Sequence, residues 1–139
     1  MTRSLLALAA AIGLSGTAAG AHHSLSDYDS TRETTVDGSV AQYQFVNPHP
    51  YLVLDVKDRN GAAQQWKLEM DNRYELSDIG VTKDTFTVGD RIVVSGSPGH
   101  TQPRILYIRK LDRPADGYGF EQVGNSPKLR KRQAEGSRR

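Results

Sequence analysis

Val46-Asn47-Pro48-His49-Pro50-Tyr51 stands between two runs of strand-forming residues, Thr35 to Phe45 before it and Tyr51 to Lys57 after it. Two prolines in three residues cannot sit in a central strand, because neither has the N–H that a ladder requires. The residues ahead of them, Asn47 and His49, are pushed towards extended geometry. The chain therefore turns stiffly here and holds a histidine at the end of a sheet.

On the far side of this corner Leu52, Leu54 and Val56 alternate onto one face. Asp58-Arg59-Asn60-Gly61 predicts a hairpin turn with Asn-Gly at its tip. In the returning strand, Ala62 to Met70, the side chains of Trp66, Leu68 and Met70 share a face, and Trp66, Leu54, Leu68 and Val94 are expected in the core. On the near side, the apolar parity shifts around Gly38, which predicts a bulge or bend in one long strand. Asn72 with Glu75 three residues on has the form of a capping box, and Gly80 can end the helix it starts. A short helix is expected over Arg73 to Ile79. Strands Arg91 to Ser95 and Ile105 to Leu111 follow, separated by a loop at Ser97 to Pro103. Pro114 to Gly124 reads as loop, and the chain from Ser126 onward reads as disordered. Five strands with a helix between the third and fourth describe an all-β, five-stranded OB-fold-like barrel. Parallel crossovers need more chain than about 80 residues allow, and an immunoglobulin-like sandwich needs about seven strands.

The opening of the chain has the pattern of a signal peptide. Arg3 precedes an apolar run, Leu5 to Leu14, that is too short for a stable anchor, and Ala19-Gly20-Ala21 is an A-x-A-like cleavage site. Cleavage after Ala21 is expected, giving a periplasmic or secreted product that begins at His22. The chain then divides into a signal peptide (1–21), an N-terminal arm (22–32), the barrel (33–113), and a loop with a basic tail (114–139). It contains no cysteine, which excludes disulfides, thiolate metal sites and a lipoprotein anchor. The net charge of +2 is unevenly distributed. Lys128, Arg130, Lys131, Arg132, Arg138 and Arg139 face a single acid, Glu135, in the tail; without the tail and Arg3, 11 basic and 15 acidic residues remain. An acidic body argues against a nucleic-acid groove, although OB-folds often have one and Tyr43, Phe45, Tyr51 and Trp66 could stack bases. Packing in the core or at its rim is the expected role of these rings. The tail suits anionic surfaces, or is simply solvated. A soluble monomer is expected.

These residues also resemble a family of small exported bacterial proteins known as a domain of unknown function. The resemblance rests on Ala21-His22-His23-Ser24, Gly38-x-Val40, Asn47-Pro48-His49, Asp55-Val56-Lys57-Asp58, Asn60-Gly61 and Trp66-x-x-Glu69. Gly80-x-Thr82, Gly89-Asp90 and Val94-x-Gly96 extend it to about Leu111. It implies export and a small β-barrel, and no known activity. Pro50 and the basic tail depart from the family pattern.

The chemistry centres on four histidines. A cut after Ala21 gives His22 both an imidazole and an α-amine, and the amine gives up its proton readily to a metal. With a third nitrogen from another histidine, this resembles the histidine brace of copper monooxygenases and of some periplasmic copper carriers, and such N-donor sets suit Cu(II). His49 is the leading third ligand, with His23 and His100 as alternates; copper is the cofactor expected. A cut after Gly20 would instead make His23 the third residue and give a planar terminal Cu(II) or Ni(II) site. Against this stand a processed terminus with no metal and a His49 that only hydrogen-bonds within its turn. The arm, His22 to Arg32, spans up to roughly 35 Å when extended, enough to run back towards His49. Asp55 and Glu69 read as solvated sheet charge rather than an acid pair. No nucleophile elbow or phosphate-binding glycine loop occurs, so hydrolase and nucleotide-enzyme readings lack support, and a redox enzyme in which bound copper activates oxygen stands as a third reading. The competing reading is a metal-free module binding a small ligand, glycan or protein. Intact mass of the exported product should show loss of residues 1–21; a mass retaining Leu5 to Leu14 would rule out a free His22 amine.

Overall fold

A computed structural model describes residues 25–130. Seven strands form: β1 (Thr34–Gln44), β2 (Tyr51–Lys57), β3 (Ala63–Glu69), β4 (Arg91–Pro98), β5 (Ile105–Arg113), β6 (Tyr118–Val123) and β7 (Ser126–Leu129). One helix, α1 (Arg73–Asp78), lies between β3 and β4, and a 3-10 turn (Leu25–Asp27) precedes β1. The sheet order is β3-β2-β1-β4-β5-β6-β7, and parallel pairing of β3 with β5 closes the first five strands into a barrel. This is the OB-type barrel that the strand count predicts, with its helix between strands three and four.

The first strand is long because it serves two neighbours. Thr34 to Ser39 pair with β4, and Ser39 to Gln44 pair with β2. The register slip lies between Val40 and Gln42, so the bulge expected at Gly38 falls at Ala41 instead. Gly38 instead permits a close approach of two strands, since a Cβ there would stand 2.5 Å from the Asp55 carbonyl oxygen. The hairpin turn forms as expected. The Gly61 N–H donates to the Asp58 carbonyl at 3.0 Å, and Gly61 takes φ +80, which glycine adopts without a Cβ clash.

The alternating apolar residues meet inside. Leu52, Leu54, Leu68, Met70, Ile92 and Val94 are enclosed. Trp66 is a partial exception to the expected core. It is half-buried and packs on the rim, because its position lies towards the open half of β3 that β5 does not cover. Helix α1 begins as expected, with the Asn72 side chain accepting from the Glu75 N–H at 2.9 Å. The reciprocal half of the capping box is replaced, because the Asn72 N–H goes to Asp71 Oδ1 at 2.6 Å. At the other end Val81 donates to the Leu76 carbonyl and Gly80 to that of Ser77, the paired bonds of a Schellman stop.

The chain beyond the barrel differs from the sequence reading. The expected loop at 114–124 contains β6, and the expected disorder from Ser126 contains β7. The cause is an exposed edge. β3 covers β5 only at Ile105 to Tyr107, so Lys110 to Arg113 have open backbone groups that β6 takes. Phe120 is fully buried and anchors the hairpin, and Arg130 pairs with Asp112 at its end. Gly117, Gly119 and Gly124 interrupt this stretch and hide its alternation. Residues 1–24 and 131–139, with His22, His23, the signal peptide and most of the basic tail, lie outside the described residues. Phe120→Ala should lower stability by about 3–5 kcal/mol, and a chain ended after Gly124 should melt earlier. Unchanged denaturation midpoints for both would remove the hairpin from the cooperative core.

Candidate functional site

The proline corner is fastened to the end of β3 by its backbone. The Pro48 carbonyl accepts from the Arg73 N–H at 3.0 Å, and the Pro50 carbonyl from the Met70 N–H at 2.9 Å. The Asn47–Pro48 peptide is cis. His49 returns the connection, its Nδ1 lying 3.0 Å from the Met70 carbonyl oxygen. A carbonyl only accepts, so Nδ1 carries a proton in this contact. Glu69 stands beside it, with Oε1 3.7 Å from His49 Nδ1.

The arm reaches the other oxygen of the same carboxylate. The Tyr28 hydroxyl donates to Glu69 Oε2 at 2.6 Å. Burial, and then the bond to Glu69, push the phenol pKa up, so Tyr28 stays a donor. The arm is also laced to the β4–β5 side. The Asp29 N–H donates to the Pro98 carbonyl at 2.8 Å, the His100 N–H to that of Asp27 at 3.0 Å, and Arg109 Nη2 to that of Ser30 at 3.0 Å. The Tyr28 ring lies 5.7 Å from that of Tyr107.

Arm, corner and hairpin together enclose a cavity of about 460 Å³. Leu25, Tyr28, His49 and Glu69 line its more open side. Asp71, Ser97 and Tyr107 line it where exposure falls below a tenth, and Gln122 of β6 contributes from the hairpin. Asp71 is held on both oxygens, by the Asn72 N–H and by Gln122 Nε2 at 2.8 Å. A second cavity of about 400 Å³ lies on the other side of the Tyr28–Glu69 bond, and both residues line it too.

The expected ligands are therefore divided. His49 faces the first cavity, and His100, which is exposed, lines the second. Among the described residues no three His, Asp or Glu side chains are grouped so as to hold a metal. Asp55 is solvated as expected, with Gln65 Nε2 3.0 Å away. Glu69 is not sheet-surface charge: it is mostly buried and sits between Tyr28 and His49. The aromatic residues pack as expected. Tyr43, Phe45 and Trp66 lie against the core, and Lys67 covers Tyr51. Tyr28, Asp71, Tyr107 and Gln122 were not legible as site residues, since none stands in a motif and three lie on separate elements.

Residues 10–104 match the model of a family described as a family of unknown function, DUF6152. The chain belongs to that family. The DUF6152 match takes in both the Ala21-His22-His23-Ser24 stretch and the Asn-Pro-His corner. No curated protein matches the chain. Among solved structures, it is similar to the mitochondrial single-stranded DNA binding protein Rim1 of S. cerevisiae, at 10% identity and TM-score 0.46, covering 62% of this chain and 93% of that one. It is also similar to the protein of a complex of TiaS with an isoleucine tRNA and ATP, at 15% identity and TM-score 0.45, covering 62% of this chain and 19% of that one.

Tyr28→Phe removes a hydrogen bond to a charged acceptor. Amide exchange at Asp29 and His100 should rise about tenfold or more, while the β1–β4 ladder keeps its protection. Unchanged exchange would mean that the backbone bonds alone hold the arm.

Proposed function

We propose that this DUF6152 protein is exported, cut after Ala21, and binds Cu(II) through the imidazole and α-amine of His22 and the imidazole of His49. One adjacency supports the reading: Leu25, three residues beyond His22, lines the same cavity as His49. Three residues reach at most about 10 Å, so the arm need not travel the length of β1 to bring the two histidines together. A second point is the orientation of His49. Its Nδ1–H is directed at a backbone carbonyl, the partner that metal-bound histidines commonly have, and this turns Nε2 into the ligand nitrogen. Glu69 adds a carboxylate close to the ring, which favours a divalent cation over a neutral occupant.

Each residue has a distinct part. His22 chelates, His49 supplies the third nitrogen, Glu69 balances charge, and Tyr28 fixes both Glu69 and the arm. His23 adjoins the chelate, while His100 belongs to the other cavity and drops behind it as a ligand. The competing metal-free module draws support from the buried wall of the same cavity, which carries polar groups that a metal at His49 does not use. The acidic body of the barrel gives no reason to expect a phosphate-backbone groove.

The exported protein should bind Cu(II) near 1:1. His49→Ala should weaken binding at least tenfold, and one extra residue ahead of His22 should weaken it as much by removing the amine chelate. His100→Ala should leave it unchanged. Equal affinity in wild type, His49→Ala and the extended form would overturn the copper reading.

A further inference from the structure

Ser97 and Tyr107 pose a separate problem at the buried end of the cavity. Ser97 is 3% exposed and Tyr107 9% exposed. Neither hydroxyl has a hydrogen-bond partner among the described residues, and neither is sealed inside the core, since both side chains line the cavity. Both hydroxyls are therefore open to the cavity and ready to pair with a group placed in it.

The neighbouring charges say what that partner is. Asp71 is 7% exposed; one oxygen accepts from the Asn72 N–H and the other from Gln122, and the Glu75 carboxyl also lies against it, so the buried end is doubly acidic. Glu69 is the second carboxylate in the cavity, and Arg109 is the one Lys or Arg that lines it among the described residues. The guanidinium of Arg109 is turned towards the Ser30 carbonyl. The Tyr107 phenol registers the balance. Burial raises its pKa most, the charges of Asp71, Glu69 and Glu75 raise it further, and Arg109 opposes them only as the smallest effect. The carboxylates near the phenol thus outnumber the one guanidinium. The rings of Tyr28 and Tyr107, 5.7 Å apart, add π faces that attract cations.

We propose that the buried end of the cavity binds a small organic cation through a hydrogen-bond-donating ammonium group, held by Asp71, Ser97 and Tyr107. An ammonium offers three N–H donors, and the carboxylate and two hydroxyls offer acceptors for them. An anion would meet two carboxylates. A quaternary cation would satisfy the charge and leave both hydroxyls unpaired. A bare metal ion lacks a sufficient ligand set, since the described residues group no three acids or histidines around it. The cavity, at about 460 Å³, has room for an alkyl chain behind the ammonium. None of the three holding residues belongs to the proposed copper set, so this site stands or falls independently of the metal.

Calorimetric titration of the processed, metal-free protein tests it, with 1,4-diaminobutane as the probe and choline and 1,4-butanediol as comparisons. The diamine should bind saturably at 1:1, and both comparison compounds at least tenfold more weakly. Ser97→Ala and Tyr107→Phe should each weaken the diamine by about three- to tenfold while keeping the melting midpoint, because each removes only an unpaired hydroxyl. Ser97→Ala should leave Cu(II) affinity unchanged while weakening the diamine, which separates this result from the copper titration. Absence of saturable diamine binding to the wild type would overturn the proposal in favour of water alone in the cavity. Equal binding of butanediol would overturn the role of charge. Diamine binding unaltered in both hydroxyl variants would overturn the location.

Discussion

The barrel closes through only three parallel residue pairs between β3 and β5: Lys67 with Ile105, Leu68 with Leu106, and Glu69 with Tyr107. The site is built around where this short seam ends. Glu69 and Tyr107 form its last pair, and both line the cavity. Past that pair β3 gives way to the turn that starts α1, which carries Asp71, while β5 continues with an uncovered edge. An uncovered edge needs a partner, and β6 supplies it, bringing Gln122 to Asp71. A longer seam would have left neither an opening nor a place for the hairpin.

On this frame the arm acts as a strap. It crosses the cavity at Tyr28, whose hydroxyl takes one oxygen of Glu69 while His49 stands near the other. The carboxylate is thus shared between a segment that arrives from the N-terminus and a corner fixed by two prolines. Backbone bonds to Pro98 and from His100 keep the strap in register. This makes the geometry of the His49 side of the cavity depend on the barrel being folded. His49 and Asp71 thus stand on rigid elements and Tyr28 on a tethered one.

Much of the barrel could be read directly. The alternation of Leu52, Leu54 and Val56, the Asn60-Gly61 turn and the Asn72 cap are local signals, and each element forms where they stand. What was not legible depends on distant partners. Ala41 is the bulged residue because of how β1 divides between β2 and β4, which no local parity reveals. Phe120 is core because an edge of β5 is open, a property of the β3–β5 seam rather than of residues 114–130. The same holds for the site. His49 announced itself by its prolines, but Glu69 looked like any solvated strand acid until Tyr28, 41 residues earlier, was seen to reach it. Ser97, Tyr107 and Asp71 carry no motif, and their meaning comes from burial beside one cavity.

On the copper reading a divalent ion sits where strap, corner and β3 meet. The most direct measurement is paramagnetic broadening in the 1H–15N spectrum of the processed protein with substoichiometric Cu(II). The amide signals of Leu25 to Tyr28, His49 and Glu69 should broaden first, along with the His49 ring, while the Thr87–Val88 turn and the Asp58–Gly61 hairpin stay sharp. Broadening centred on His100, or spread evenly over the basic C-terminal residues with His49 unaffected, would contradict it.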